Sequence, residues 1–126
     1  KWFGPDHPSI SIRLSNLATI LRNSDRTSEA EHLTRRALAL DEKSFGSEHP
    51  NVAIRLNNLA QLLDDSNRPV EAAPLMRRAI AILVKFKKLT SHPHPQIERF
   101  TSNYRSMLLS RGKTAEEVDR EISALC

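Results

Sequence analysis

With 126 residues, a net charge of +4, 39% hydrophobic and 27% charged residues, the chain has the make-up of one soluble globular domain, which excludes disordered, collagenous and fibrous classes. No apolar run approaches the roughly 20 residues that cross a bilayer, so a membrane-embedded fold is excluded. The single cysteine, Cys126, excludes an intrachain disulfide and points to a reduced, cytoplasmic setting.

The segment Lys1-Trp2-Phe3-Gly4 has neither an initiator Met nor a signal-like apolar stretch, and reads as part of a longer protein. Ile10, Leu14, Leu17 and Leu21 then repeat at helical spacing, with Pro8 suited to a first turn, and predict a helix over 8–23. After a polar break at Ser24 to Thr27, Ala30, Leu33, Ala37 and Leu40 predict a second helix over 28–44, stopped by Gly46. The pattern recurs as helices over 50–65 and 69–86. Pro74 lies inside the latter, where a proline costs about 3 kcal/mol in an ordinary interior, so a mild kink near the first turn is expected. Residues 87–93 read as a loop, followed by helices over 95–110 and 114–125, the last opened by a Thr114-to-Glu117 capping box. No strand alternation occurs, and the fold class is all-α.

The phrase FGPDHPSISIRLSNLATIL at 3–21 returns as FGSEHPNVAIRLNNLAQLL at 45–63, a step of 42 residues. The step continues from Arg26, Glu29-Ala30, Leu33 and Arg35-Arg36-Ala37 to Arg68, Glu71-Ala72, Leu75 and Arg77-Arg78-Ala79. A degenerate third copy follows at a step of 45, His94-Pro95 answering His49-Pro50 and Asn103-Tyr104 answering Asn58-Leu59. The chain is thus one array, 1–126, with repeats at about 3–44, 45–86 and 94–125. Self-similarity at such a period marks a solenoid whose units bury their apolar faces only by stacking.

The wording FG..HP....RL.NLA..L....R..EAE.L.RRALAL.EK resembles the tetratricopeptide repeat, in the 42-residue variety found in kinesin light chains and bacterial scaffold proteins. The resemblance is strong over 3–86 and weaker over 94–125, and the family often carries proline where Pro74 stands. It implies a right-handed superhelix of antiparallel helix pairs, with the first helix of each pair lining a concave groove that grips a peptide. The third copy has Thr101 for Leu56 and Arg105 for Ala60, a departure suited to the polar outer face of a closing unit.

Leu14 and Leu17 are expected to point inward, with Ile12, Asn16, Thr19 and Asn23 on the opposite stripe. Counterparts of that stripe are Ile54, Asn58, Gln61 and Asp65, then Arg99, Asn103, Ser106 and Ser110. Asn16, Asn58 and Asn103 form a ladder of amides able to satisfy both the N–H and the C=O of a guest backbone. In peptide-binding relatives an asparagine at this place does so; the competing role is to bridge neighbouring helices and hold the repeats in register. Ser15, Asn57, Ser102, Thr19, Gln61 and Ser106 flank the ladder. Arg13, Arg55 and Arg99 lie toward the groove edge and fit either an acidic or C-terminal carboxylate or plain surface ion pairs. Arg35-Arg36 and Arg77-Arg78 read as solvated or inter-repeat residues.

His92 and His94 are close in sequence but lack the further ligands a zinc site needs, and His7, His49 and His94, each before a proline, read as helix caps. No nucleophile elbow or glycine-rich phosphate loop is present, so neither catalysis nor a cofactor is expected. The reading is a protein-interaction module, a scaffold that takes a peptide segment in its groove. A structural spacer or self-assembly module is the alternative, burying Trp2 and Phe3, or Ile122 and Leu125, against another chain. A nucleic-acid surface would centre on Lys85, Lys87 and Lys88, the one tight basic cluster in an otherwise dispersed charge.

Overall fold

The computed structural model describes residues 8–126, which form six helices and no strand: α1 (Pro8–Asn23), α2 (Thr27–Phe45), α3 (Pro50–Asp65), α4 (Pro69–Thr90), α5 (Ile97–Ser110) and α6 (Ala115–Leu125). His7, Trp2 and Phe3 lie outside the described residues. Successive pairs α1–α2, α3–α4 and α5–α6 stack into an all-α solenoid, three helix pairs in chain order.

One turn chemistry makes all three pairs. Asp25 and Asn67 adopt φ of 60° and Gly112 a φ of 95°, the left-handed region that only short polar side chains and glycine enter readily. Each of the three donates its N–H three residues back, to Arg22, Asp64 and Leu109. The next residue donates five back, Arg26 to the Leu21 carbonyl and Arg68 to Leu63, both at 2.8 Å, and Lys113 to Leu108 at 3.2 Å. These paired bonds satisfy the orphan carbonyls of α1, α3 and α5 in the Schellman pattern and send the chain back antiparallel.

The helix starts are set as locally. His49 caps α3 by accepting the Asn51 N–H on Nδ1 at 3.0 Å, and His94 accepts that of Gln96 at 3.1 Å just before α5. Their rings pack on the phenylalanine of the preceding helix, His49 stacked on Phe45 and His94 edge-on to Phe86. Thr114 and Glu117 form the reciprocal capping box of α6.

Two boundaries, the end of α4 and the start of α5, differ from the sequence reading by more than one residue. Residues 87–90 are helical, so the linker is Ser91 to Gln96, and α4 has 22 residues against 19 in α2. The three extra residues of the longer step thus extend a helix instead of a loop. The Thr90 hydroxyl bonded to the Phe86 carbonyl and Ser91 in the left-handed region close it. Helix α4 also runs unbroken through Pro74, whose missing bond would go to Val70 in the first turn.

The core is densest around the second unit, where Leu56, Leu59, Leu63, Ile80 and Leu83 of α3 and α4 meet Phe100, Tyr104 and Leu108 of α5. Ala18, Ala60, Ala30, Ala72, Ala37 and Ala79 are all buried at repeat-equivalent places, which lets the helices approach closely. Ile122 and Leu125 are half-buried against this same core, instead of standing free for another chain. Ion pairs stitch the second helices together: Arg68 to Glu31 at 2.6 Å, Arg35 to Glu71 at 3.9 Å and Arg78 to Glu42 at 3.1 Å.

Candidate functional site

The first helix of each pair builds one face, and two clefts open along it. The larger, about 340 Å³, is lined by Arg22 of α1, Gln61, Asp64 and Asp65 of α3, and Asn103, Ser106 and Ser110 of α5, with Met76 and Met107 behind. The smaller, about 40 Å³, lies between the first and second units, lined by Ser15, Thr19, Asn58 and Thr34 beside Ala18 and Leu62. Arg22 borders both, and the two clefts together make up the polar trough of this face.

The trough is rich in amides and hydroxyls and its charges are already paired. Arg22 donates from Nε to Asp65 at 2.7 Å and from Nη1 to Gln61 at 3.4 Å. Arg111, in the turn after α5, holds Asp64 at 2.6 Å and Asn67 at 2.8 Å. The Thr19 hydroxyl is spent on the Ser15 carbonyl, while the Ser15 hydroxyl oxygen is buried without a hydrogen-bond partner. That leaves an unsatisfied donor and acceptor at the wall of the small cleft, where a guest group or water could bond it.

Of the residues singled out in the sequence as peptide contacts, six line the trough: Gln61, Asn103 and Ser106 in the large cleft, Ser15, Thr19 and Asn58 in the small one, joined by Asp65 and Ser110 of the polar stripe. Asn16 and Ser102 are exposed beside the trough without lining it. Asn57 is fully buried, its carbonyl oxygen accepting from the Asn103 amide at 3.4 Å, its own NH₂ unpartnered. Asn103 thus both bridges to α3 and faces the cleft, and its two proposed roles are compatible.

The three edge arginines separate. Arg13 and Arg99 are exposed, Arg99 donating to Gln96 at 3.2 Å. Arg55 is withdrawn from the groove edge: its side chain is 12% exposed, with Nε 2.9 Å from Oδ2 of the buried Asp41. That approach is too bent for a hydrogen bond and acts through charge. Ser11 donates to the other carboxylate oxygen at 2.5 Å, so Asp41 ties α1, α2 and α3 together. Leu17 also departs from expectation, being 46% exposed while its counterpart Leu59 is 1% exposed.

Arg22 and Asp64 are polar trough residues that the sequence reading missed, as is Arg111, which holds Asp64 from outside the lining. The available signal was spacing, since Arg22 lies three residues beyond Thr19 on the same helical stripe. Away from the trough, the perturbed titrations cluster in the third unit. Burial raises the Tyr104 phenol, which donates to Glu121 at 3.1 Å and accepts from Arg77 at 3.3 Å. The Lys113 ammonium, 2.5 Å from Glu121, is the main cause holding that carboxyl below its usual range. Among the described residues no three His, Cys, Asp or Glu side chains gather as metal ligands, and no helix is long and apolar enough to cross a membrane.

Stacked antiparallel helix pairs with a polar trough along the first helices define an α-solenoid of the kind built to present an extended concave surface. Residues 14–83 match the tetratricopeptide repeat, and the chain belongs to that family. Its repeats are of the kinesin light chain-like variety. A solved structure of a candidate kinesin light chain from Podosopora anserina, made of nearly identical TPR-like repeats, superposes with a TM-score of 0.74 at 25% identity. It covers 94% of this chain and 56% of that one. A glutamine-to-methionine variant of the same protein gives a TM-score of 0.72 at 22% identity, with the same coverage. The chain therefore spans little more than half the length of these structures. No curated protein sequence matches it.

Proposed function

We propose that the chain is a non-catalytic protein-interaction module that holds a peptide segment of a partner in the trough along α1, α3 and α5. The observation that carries this reading is the trough itself: two clefts that share Arg22 and between them touch all three units, lined by uncharged polar side chains and by arginine–aspartate pairs that already balance. Such a lining satisfies backbone N–H and C=O groups without demanding one guest side chain. Asn58, Gln61 and Asn103 are the backbone readers, and Arg22 sits where the two clefts meet. Arg13 and Arg99 at the edge supply attraction for an acidic or C-terminal group, a role from which Arg55 is removed by Asp41. The module needs no cofactor or metal, works in the cytoplasm, and serves as a scaffold within a longer protein.

The test is a screen of the chain against a peptide library containing acidic and free C-terminal sequences, beside an Asn58→Ala, Gln61→Ala, Asn103→Ala variant with helicity confirmed by circular dichroism. Loss of three hydrogen bonds at about 1 kcal/mol each predicts binding weakened by roughly 100-fold. Equal binding by the folded variant would overturn the reading.

A further inference from the structure

The two junctions between units use the same places with different residues. At the second junction the side-chain carbonyl of Asn57 accepts from the Asn103 amide at 3.4 Å, which ties α3 directly to α5, and Met76 fills the space behind. At the first junction the places of Asn57 and Asn103 belong to Ser15 and Asn58, and that of Met76 to Thr34. Serine reaches less far than asparagine and threonine fills less space than methionine. In place of a direct bond between α1 and α3 the first junction therefore keeps the small cleft of about 40 Å³, walled by Ser15, Thr19, Thr34 and Asn58 and backed by Ala18 and Leu62.

We propose that the small cleft is a built site for one ordered water, which bridges Ser15 of α1 to Asn58 of α3 and does at the first junction what the amide–amide bond does at the second. Size, an orphaned group and the direction of the available bonds all point to this occupant. A water takes up about 30 Å³ of the liquid, so the cleft holds one. The Ser15 hydroxyl oxygen is buried without a hydrogen-bond partner, a cost that a bridging water removes. The hydroxyls of Thr19 and Thr34 already donate, to the carbonyls of Ser15 at 3.1 Å and Ala30 at 2.8 Å, which leaves their oxygens as acceptors. A water that accepts from Ser15 and from the Asn58 amide and donates to the threonine oxygens satisfies the whole polar lining. The lining has no carboxylate for a cation, and an apolar group would leave the Ser15 hydroxyl stranded. The site belongs to the seam between two units and stands whether or not the trough binds a peptide.

The test joins a high-resolution crystal structure of the chain to water-to-protein NOE spectra in solution, for the parent and two variants whose helicity is confirmed by circular dichroism. The parent is expected to show an ordered water within hydrogen-bond distance of both Ser15 and Asn58, and an NOE from water to the Asn58 side-chain NH₂. Ser15→Ala keeps the cleft open and removes a hydroxyl whose own exchange would imitate that signal, so the NOE is expected to persist. Ser15→Asn supplies the residue type of the second junction and is expected to bond Asn58 directly, expel the water and lose the NOE. Three results would overturn the proposal: no water at the site in the parent, an NOE that disappears in Ser15→Ala, or one that survives in folded Ser15→Asn. Should Ser15→Asn fail to fold, the parent and Ser15→Ala decide the matter between them.

Discussion

Asp41 stands where the second unit has Leu83, buried at 1% exposure with Arg55 and Ser11 as its partners, so replacing it separates two views of that ion pair. Asp41→Leu restores the residue type of the repeat but leaves a guanidinium in a nearly dry site. Breaking a buried pair from one side costs about 3–5 kcal/mol, and the orphaned Ser11 hydroxyl adds about 1 kcal/mol. Against a total stability on the order of 5–15 kcal/mol, the variant is left close to unfolding. The double change Asp41→Leu, Arg55→Leu removes both charges, and buried pairs replaced by apolar residues are neutral or stabilising, so it is expected to return to within about 1 kcal/mol of the parent. Urea denaturation followed by circular dichroism reads this. With a slope of about 1–3 kcal/mol per molar, the single variant shifts the midpoint down by roughly 2 M and the double variant restores it. A single-variant shift below about 0.5 M, or a double variant no better than the single, would refute the claim that Asp41 neutralises Arg55 inside the fold.

Three further outcomes are expected. Thr114→Ala removes the capping box of α6 and costs about 1 kcal/mol, visible as faster amide exchange in α6 with α1 unchanged. Asn57→Leu, which removes a buried NH₂ that has no partner, changes stability by less than about 1 kcal/mol or raises it, measured by the same urea titration. Acid loosens the third unit first, in two steps. Burial lowers the His94 imidazole below its ordinary 6.5, so the stabilisation is present above that value and lost as pH falls through the folded one. The Glu117 carboxyl is lowered chiefly by the Thr114 backbone N–H and that of Glu121 chiefly by Lys113, so theirs is present above 4.5 and lost below it. NMR titration of Gln96, Glu117 and Glu121 amides reports both steps, and a third unit that loosens on raising the pH from 7 to 8 instead would contradict the assignment.

What the sequence made legible was whatever the repeat expresses locally. The 42-residue step is read directly from the letters, the histidine caps and the capping box depend on residues within a few positions of each other, and the polar stripe of α1, α3 and α5 lines the trough at Thr19, Asn58, Gln61, Asp65, Asn103, Ser106 and Ser110. What stayed hidden depends on neighbours from another unit. A helical wheel places Leu17 on the apolar side, but burial depends on neighbours from another unit: Leu59 packs in the shared core at 1% exposure, and Leu17 is 46% exposed. Arg55 reads as a groove residue until Asp41, 14 positions away in sequence, is brought under it. Residues 87–90 read as a loop because the three extra residues of the longer step fall in 87–93, yet a helix already running has little to lose by adding one turn.

The central claim, that the trough is where a partner sits, is tested most directly by mapping amide shift changes of the isotope-labelled chain on titration with the tightest peptide from the screen. The account predicts changes concentrated on Arg22, Asn58, Gln61, Asn103 and Ser106 along α1, α3 and α5, with α2 and α6 quiet. Changes confined to the second helices, to Lys85, Lys87 and Lys88, or to the Ile12, Leu17 and Ile20 face would contradict it.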